Sequence, residues 1–202
     1  VCGNVSEKRS FTVDVSNLTQ GNTQQLTTEA PIQWNKTSLD YLRYTVTESG
    51  VRITGCEKDA EQIEIPAQIE GKPVTVVDWY AFERCAKLRS VVIPDTVTHI
   101  SRFAFAHCIS LETVNLPTSL YAIEQYAFFD CSRLQGLRLP ERLAIIEERA
   151  FCGCDAITDI TIPESCTSVG DYAFLDCDSL YRVGIQGDAQ LGLRSFGYRY
   201  RS

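Results

Sequence analysis

Three groups of residues in this 202-residue chain are of types that do chemistry. Nine cysteines could supply thiolate nucleophiles, metal ligands or disulfides. A nucleophilic thiolate needs a base beside it, and the chain has two histidines, His99 and His107. His107 directly precedes Cys108, but adjacent side chains usually point apart. Cys152-Gly153-Cys154 holds two possible ligands without the second pair that a zinc site takes. Glu147-Glu148 is a carboxylate pair of the kind used in acid–base catalysis, yet it reads as part of a solvated turn. There is no Gly-x-Ser-x-Gly elbow, no phosphate-binding Gly loop and no His-Glu-x-x-His. The expectation is a protein with no catalytic residues, no metal and no cofactor.

The spacing of the cysteines says what positions them. Cys85, Cys108, Cys131, Cys154 and Cys177 recur at steps of 23 residues. Each closes the same motif, first seen as Tyr80-Ala81-Phe82-Glu83-Arg84-Cys85, so Phe82, Phe105, Phe128, Phe151 and Phe174 form a second column. Leu88, Leu111, Leu134, Ile157 and Leu180 form another. Val91, Val114, Leu137, Ile160 and Val183 keep the same step, as do Ile93, Leu116, Leu139, Ile162 and Ile185. Pro94, Pro117, Pro140 and Pro163 follow the last of these, and Val77, Ile100, Ile123, Ile146 and Val169 complete the set. A fixed period in this range is the signature of a solenoid whose coils stack on one another.

Stacking decides the fate of the thiols. Coils about 4.8 Å apart bring one column within nominal disulfide range. Its side chains run parallel, however, and do not converge as a bridge requires. The five ladder cysteines are predicted to be buried and reduced, each a small hydrophobe with a weak S–H donor. Cys166 shares a column with Val97, Leu120 and Leu143 and reads as core. Cys2 and Cys56 fall outside the regular array, and a bridge between them stays open if the protein is secreted.

The predicted architecture is a right-handed solenoid with parallel strands near 89–93, 112–116, 135–139, 158–162 and 181–185. In each, alternate residues face in and out, and the following proline ends the strand. The Ala-Phe pair falls on a turn or short helical segment on the opposite side. Four regions follow: an irregular β/loop extension over 1–45, a hairpin and atypical first coil over 46–76, five regular repeats over 77–190, and a degenerate coil over 191–202. Within the extension, Phe11, Val13 and Val15 alternate like a strand, 16–30 reads as a loop, and sequons begin at Asn4, Asn17 and Asn35. The first coil acts as a cap, since an uncovered first layer would expose apolar side chains and strand edges.

Composition narrows the function classes. Hydrophobic residues make up 44% and charged residues 22% of an ordered chain. A net charge of −7 argues against nucleic-acid binding. No apolar run approaches the length of a membrane span. With no Met and no export signal in view, the chain reads as a mature or excised fragment.

The pattern Leu-x-x-Val-x-Ile-Pro, then Val/Leu-x-x-Ile, then Ala-Phe-x-x-Cys resembles the 23-residue BspA-like class of leucine-rich repeats. The likeness covers 77–185 fully. Residues 46–76, with Ile53-Thr54-Gly55 and Gly71-Lys72-Pro73-Val74, are similar to the usual first coil, and 1–40 fall outside it. The resemblance implies a leucine-rich repeat solenoid, an exported or cell-surface setting, mostly bacterial, and a role in adhesion with no catalytic motif.

The outward strand positions vary from coil to coil where the inward columns do not. One column runs Ser90, Thr113, Gly136, Asp159, Arg182, and the next Val92, Asn115, Arg138, Thr161, Gly184. A third, at the strand edge, runs Arg89, Glu112, Gln135, Thr158, Tyr181. Exposed positions drift in any protein, but such arrays also use this face for recognition. Arg89, Glu112, Asn115, Arg138, Asp159, Tyr181 and Arg182 are the candidate contacts, since Tyr and Arg dominate binding hot spots. The expected role is an extracellular or cell-surface, monomeric module that binds a protein or glycan on a host, matrix or neighbouring cell. A structural spacer, or a separate activity carried by 1–45, are the alternatives.

Overall fold

The computed structural model describes residues 38–197. The chain divides into two units, 1–35 and 36–202, and the described residues belong to the second. The strand, loop and sequons expected before residue 36, Cys2, and the terminal Tyr198-Arg199-Tyr200-Arg201 lie outside them.

A single helical turn, α1 (Ser38–Tyr41), leads into β1 (Leu42–Val46) and β2 (Val51–Cys56). These pair antiparallel around Gly50, from Leu42 opposite Cys56 to Val46 opposite Val51, so the expected hairpin begins before residue 46. The first coil follows with β3 (Gln62–Glu64), β4 (Gln68–Ile69) and β5 (Lys72–Val77). The residues inserted after Pro66 form a second small hairpin of β4 on β5. Its two-residue turn is Glu70-Gly71, both at positive φ, the backbone that such turns require.

Each later coil has two strand positions. One holds β6 (Ser90–Val92), the other β7 (His99–Ile100). The next coils give β8 (Thr113–Asn115) and β9 (Ala122–Ile123), then β10 (Ile145–Ile146). The last give β11 (Asp159–Ile162), β12 (Ser168–Val169), β13 (Arg182–Ile185) and β14 (Gln190–Leu191). One continuous sheet runs β1-β2-β5-β7-β9-β10-β12-β14, parallel from β2 onwards. The sequence marked its central residues only as core columns.

The predicted strand face is present but split. It consists of a three-stranded sheet, β3-β6-β8, and a separate pair, β11-β13. The strand expected over 135–139 does not form. Gly136 sits at φ +61°, where an extended ladder cannot continue. Gln135 N–H still bonds Glu112 C=O at 3.0 Å. Among the described residues, the amides of Gly136, Leu137, Arg138 and Leu139 then donate to no backbone carbonyl.

The Ala-Phe segments are turns, stitched coil to coil. Phe82 N–H bonds Ala104 C=O at 2.7 Å, Phe105 bonds Ala127 at 2.7 Å, and Phe128 bonds Ala150 at 2.7 Å. Backbone comes this close only beside a small side chain, which accounts for the Ala column. The Phe rings stack face to face, from 4.7 Å between the centroids of Phe82 and Phe105 to 5.4 Å between Phe174 and Phe196. Phe196 stands 22 rather than 23 residues after Phe174 and still extends the spine into the degenerate last coil.

Candidate functional site

The reactive side chains are engaged in structure. The thiols of Cys108, Cys131, Cys154 and Cys177 donate to the carbonyls of Phe82, Phe105, Phe128 and Phe151, at 3.0, 3.1, 3.2 and 3.2 Å. Each such carbonyl also accepts the N–H of its own coil's cysteine, as in Cys85 to Phe82 at 3.0 Å. The thiol therefore fills the second lone pair of an already bonded oxygen, which an alanine or valine could not do. All five ladder cysteines are buried and free, as the parallel geometry predicts.

Cys56 departs from expectation. It is buried with a free thiol and lies against the Cys85 thiol. It is the first rung of the ladder, hidden in the sequence because the inserted hairpin breaks the period. The Cys85 thiol is held below its ordinary value by the Cys56 contact and then by the Lys58 ammonium 3.8 Å away. Burial instead pushes Cys177 up to about 12 and Cys152 up to about 11.

His107 and Cys108 do not form a couple. His107 Nδ1 faces Asp130 Oδ2 at 3.1 Å while the Cys108 thiol turns inward to Phe82. The two glutamates hold backbone and neighbours. Glu147 accepts the Gln125 N–H at 2.9 Å, and Glu148 pairs with Arg149 at 2.7 Å. Among the described residues, no three His, Cys, Asp or Glu side chains stand together as metal ligands.

The candidate recognition residues gather on the split strand face, mostly in pairs. Register sets Ser90 beside Thr113 and Val92 beside Asn115 in the first sheet, and Asp159 beside Arg182 in the pair that follows the break. Arg89 pairs with Glu112 at 3.4 Å and Arg138 with Asp159 at 3.2 Å, each pair bridging adjacent coils. The Arg182 guanidinium lies 5.6 Å from the Tyr181 ring centroid, and Tyr181 is 67% exposed. Asn115 is exposed at the edge of the first sheet.

At the break lies a cavity of about 290 Å³. Arg138, Glu141, Asp159, Thr161 and Gln186 supply its polar lining, and Leu137, Leu139 and Pro163 the rest. Glu141, Thr161 and Gln186 were not among the sequence candidates. The available signal was Gly136, because glycine within a strand marks an interruption. A further surface was also missed. Tyr80, Phe103 and Tyr126 stack on the outer side of the turns at 5.1 and 4.7 Å, and the Arg149 guanidinium continues the stack, 4.9 Å from the Tyr172 ring.

Parallel two- to four-residue strands, a stacked aromatic spine and a thiol ladder on a 23-residue step define a leucine-rich repeat solenoid. The model of the BspA type leucine rich repeat region matches six copies over residues 56–199, and the chain belongs to that family. It is 35% identical to a leucine-rich repeat protein from Bacteroides ovatus, with a TM-score of 0.67, covering 72% of this chain and 40% of that one. It is 30% identical to a leucine rich cell surface protein from Faecalibacterium prausnitzii, with a TM-score of 0.72, covering 85% of this chain and 47% of that one. A leucine rich repeat protein from T. pallidum is 26% identical, with a TM-score of 0.67 and coverage of 76% and 84%. The chain therefore spans less than half of the first two relatives. No curated protein matches it. Among the described residues, no helix is long and apolar enough to cross a membrane.

Proposed function

We propose that this chain is a non-catalytic recognition module, displayed outside the cell, that binds a protein or glycan on a host, matrix or neighbouring cell surface. Binding uses the strand-lined face and a single copy of the chain. The observation that carries this is the contrast between columns. Every inward column keeps one class of side chain, apolar or thiol, whereas the outward positions on the split face change in size, polarity and charge from coil to coil, as in Ser90, Thr113, Asp159 and Arg182. Mixed polar side chains with Tyr181 and three arginines suit a modest-affinity interface. The engaged thiols, imidazole and glutamates support recognition rather than catalysis. The cell-surface setting is supported by the F. prausnitzii relative.

The test is affinity capture from surface extracts with the intact chain, beside a variant carrying Arg138→Ala, Asp159→Ala and Tyr181→Ala. Capture of the partner should be lost while thermal stability barely changes, because exposed substitutions cost within about 0.5 kcal/mol each. A partner that survives the triple change and disappears on removal of residues 1–45 would move the binding surface to the N-terminal extension.

A further inference from the structure

We infer that the cavity beside Gly136 binds one neutral pyranose ring of a saccharide. The site lies on the recognition face proposed above, rests on that reading, and narrows it to one ligand class and one place.

Two departures from the repeat meet at this cavity. Gly136 occupies a column otherwise filled by Ser90, Thr113, Asp159 and Arg182, and its positive φ takes the coil out of the ladder. Gln186 stands where the earlier coils carry Pro94, Pro117, Pro140 and Pro163, and it lines the same space. These positions belong to different coils, so one irregular turn does not explain both. The first opens the sheet, and the second replaces a ring without a donor by an amide that both donates and accepts.

Size and chemistry select the ligand. A volume of about 290 Å³ falls just below the range of drug-sized sites, about 300–1,000 Å³. It holds one ring and is too small to enclose several residues of extended peptide. Arg138 presents donors, Asp159 presents acceptors, and Thr161 and Gln186 present both. Neighbouring donors and acceptors match vicinal hydroxyl groups, each of which also does both. Leu139, which is half-buried, leaves apolar surface for the C–H face of the ring. Arg138 is already neutralised by Asp159 at 3.2 Å, and Glu141 adds a further carboxylate. Sulfated, phosphorylated or uronic ligands therefore meet an uncompensated negative charge.

The reading groups are also held in place before any ligand arrives. Asp159 accepts from Arg138 at Oδ2 and from the Thr158 hydroxyl at Oδ1, at 3.2 and 3.1 Å. Arg138 Nη1 donates as well to the Leu137 carbonyl at 3.3 Å. Side chains fixed in this way lose less rotamer freedom on binding.

The experiment is an NMR titration of the isotope-labelled intact chain with the methyl glycosides of glucose, galactose, mannose and N-acetylglucosamine. Methyl glucuronoside and Nα-acetyl-lysine amide serve as anionic and cationic controls. At least one neutral glycoside should shift the amides of Gly136, Leu137, Arg138 and Gln186 and leave those of Phe82 and Phe105 in place. Both controls should bind at least tenfold more weakly. Asp159→Asn, and separately Gln186→Ala, which keeps the residue-186 N–H bonded to the Ile162 carbonyl at 3.0 Å, should each weaken the glycoside at least tenfold with the remaining amide spectrum unchanged. The inference is overturned if no neutral glycoside moves those amides, if either control binds as well, or if both variants bind like the parent chain. Capture of a macromolecular partner on this face without glycoside binding would remove the sugar site and leave the recognition face standing.

Discussion

A thiol at every 23rd position looks like reactivity, and its surroundings make it a structural donor instead. From Cys108 onwards, each ladder S–H closes a bond to the phenylalanine carbonyl one coil back, and burial pushes the thiols upward. Native alkylation at pH 8 should leave them intact, with mass spectrometry showing all five modified only after urea unfolding. Cys85, beside Lys58, should react before the other four as the cap opens. This column was legible because periodicity alone reports an inward position. Cys56 was not, because a hairpin inserted between it and Cys85 shifts the count. A second residue-scale tie joins that cap to the repeats. Arg52 binds Asp78 through two bonds, at 2.7 and 2.8 Å, and holds its carboxyl below the usual range. A depressed carboxylate stabilises the fold above its unfolded value, about 3.9, and that contribution is lost as pH falls through the folded value. Arg52 is 40% exposed, so solvent screening limits the pair to about 1 kcal/mol. Asp78→Asn should cost about that much at neutral pH and close to nothing at pH 2, as read from urea midpoints at each pH.

Strands were legible in this sequence where alternation had room to show. Thr113-Val114-Asn115 and Asp159 to Ile162 alternate in and out and are strands. The continuous sheet escaped notice because most of its strands beyond β5 have two residues, too few to display a period of two. The missing strand at 135–139 is the reverse case: Leu137 and Leu139 keep the inward pattern, but Gly136 takes a backbone conformation that the pattern does not encode. A Cβ at that position would meet nothing within 4 Å, so packing did not select the glycine. What the conformation changes is the ladder. Hydrogen exchange measured by NMR should show the amides of Gly136, Leu137, Arg138 and Leu139 exchanging at least tenfold faster than Phe105 and Phe128, whose N–H groups are bonded at 2.7 Å. Comparable protection would mean that the ladder is continuous in solution and that the cavity beside it closes.

In a stacked array, stability is a sum of coil and interface terms, so a weakened interface shows in how the whole molecule unfolds. The four interfaces within the regular array, and the one to the degenerate last coil, share a Phe–Phe stack and a bond between turns. The coil carrying Phe128 lacks the strand-face ladder on both sides, toward the coil of Phe105 and toward that of Phe151. It keeps the β9–β10 pairing, the ring stacks at 5.0 and 5.2 Å and the thiol of Cys154 on Phe128. Phe128→Ala removes both stacks and leaves a cavity, at a cost of roughly 3–5 kcal/mol. Phe82→Ala deletes an equally buried ring, but its coil keeps the β3–β6 and β6–β8 ladders on its two sides. Calorimetry should then separate the two variants. Phe82→Ala should unfold in one transition at lower temperature, and Phe128→Ala in two, as the halves on either side of Gly136 melt independently. Two single transitions of equal width would mean that the continuous sheet alone couples the halves, and that the split in the strand face carries no weight in holding the array together.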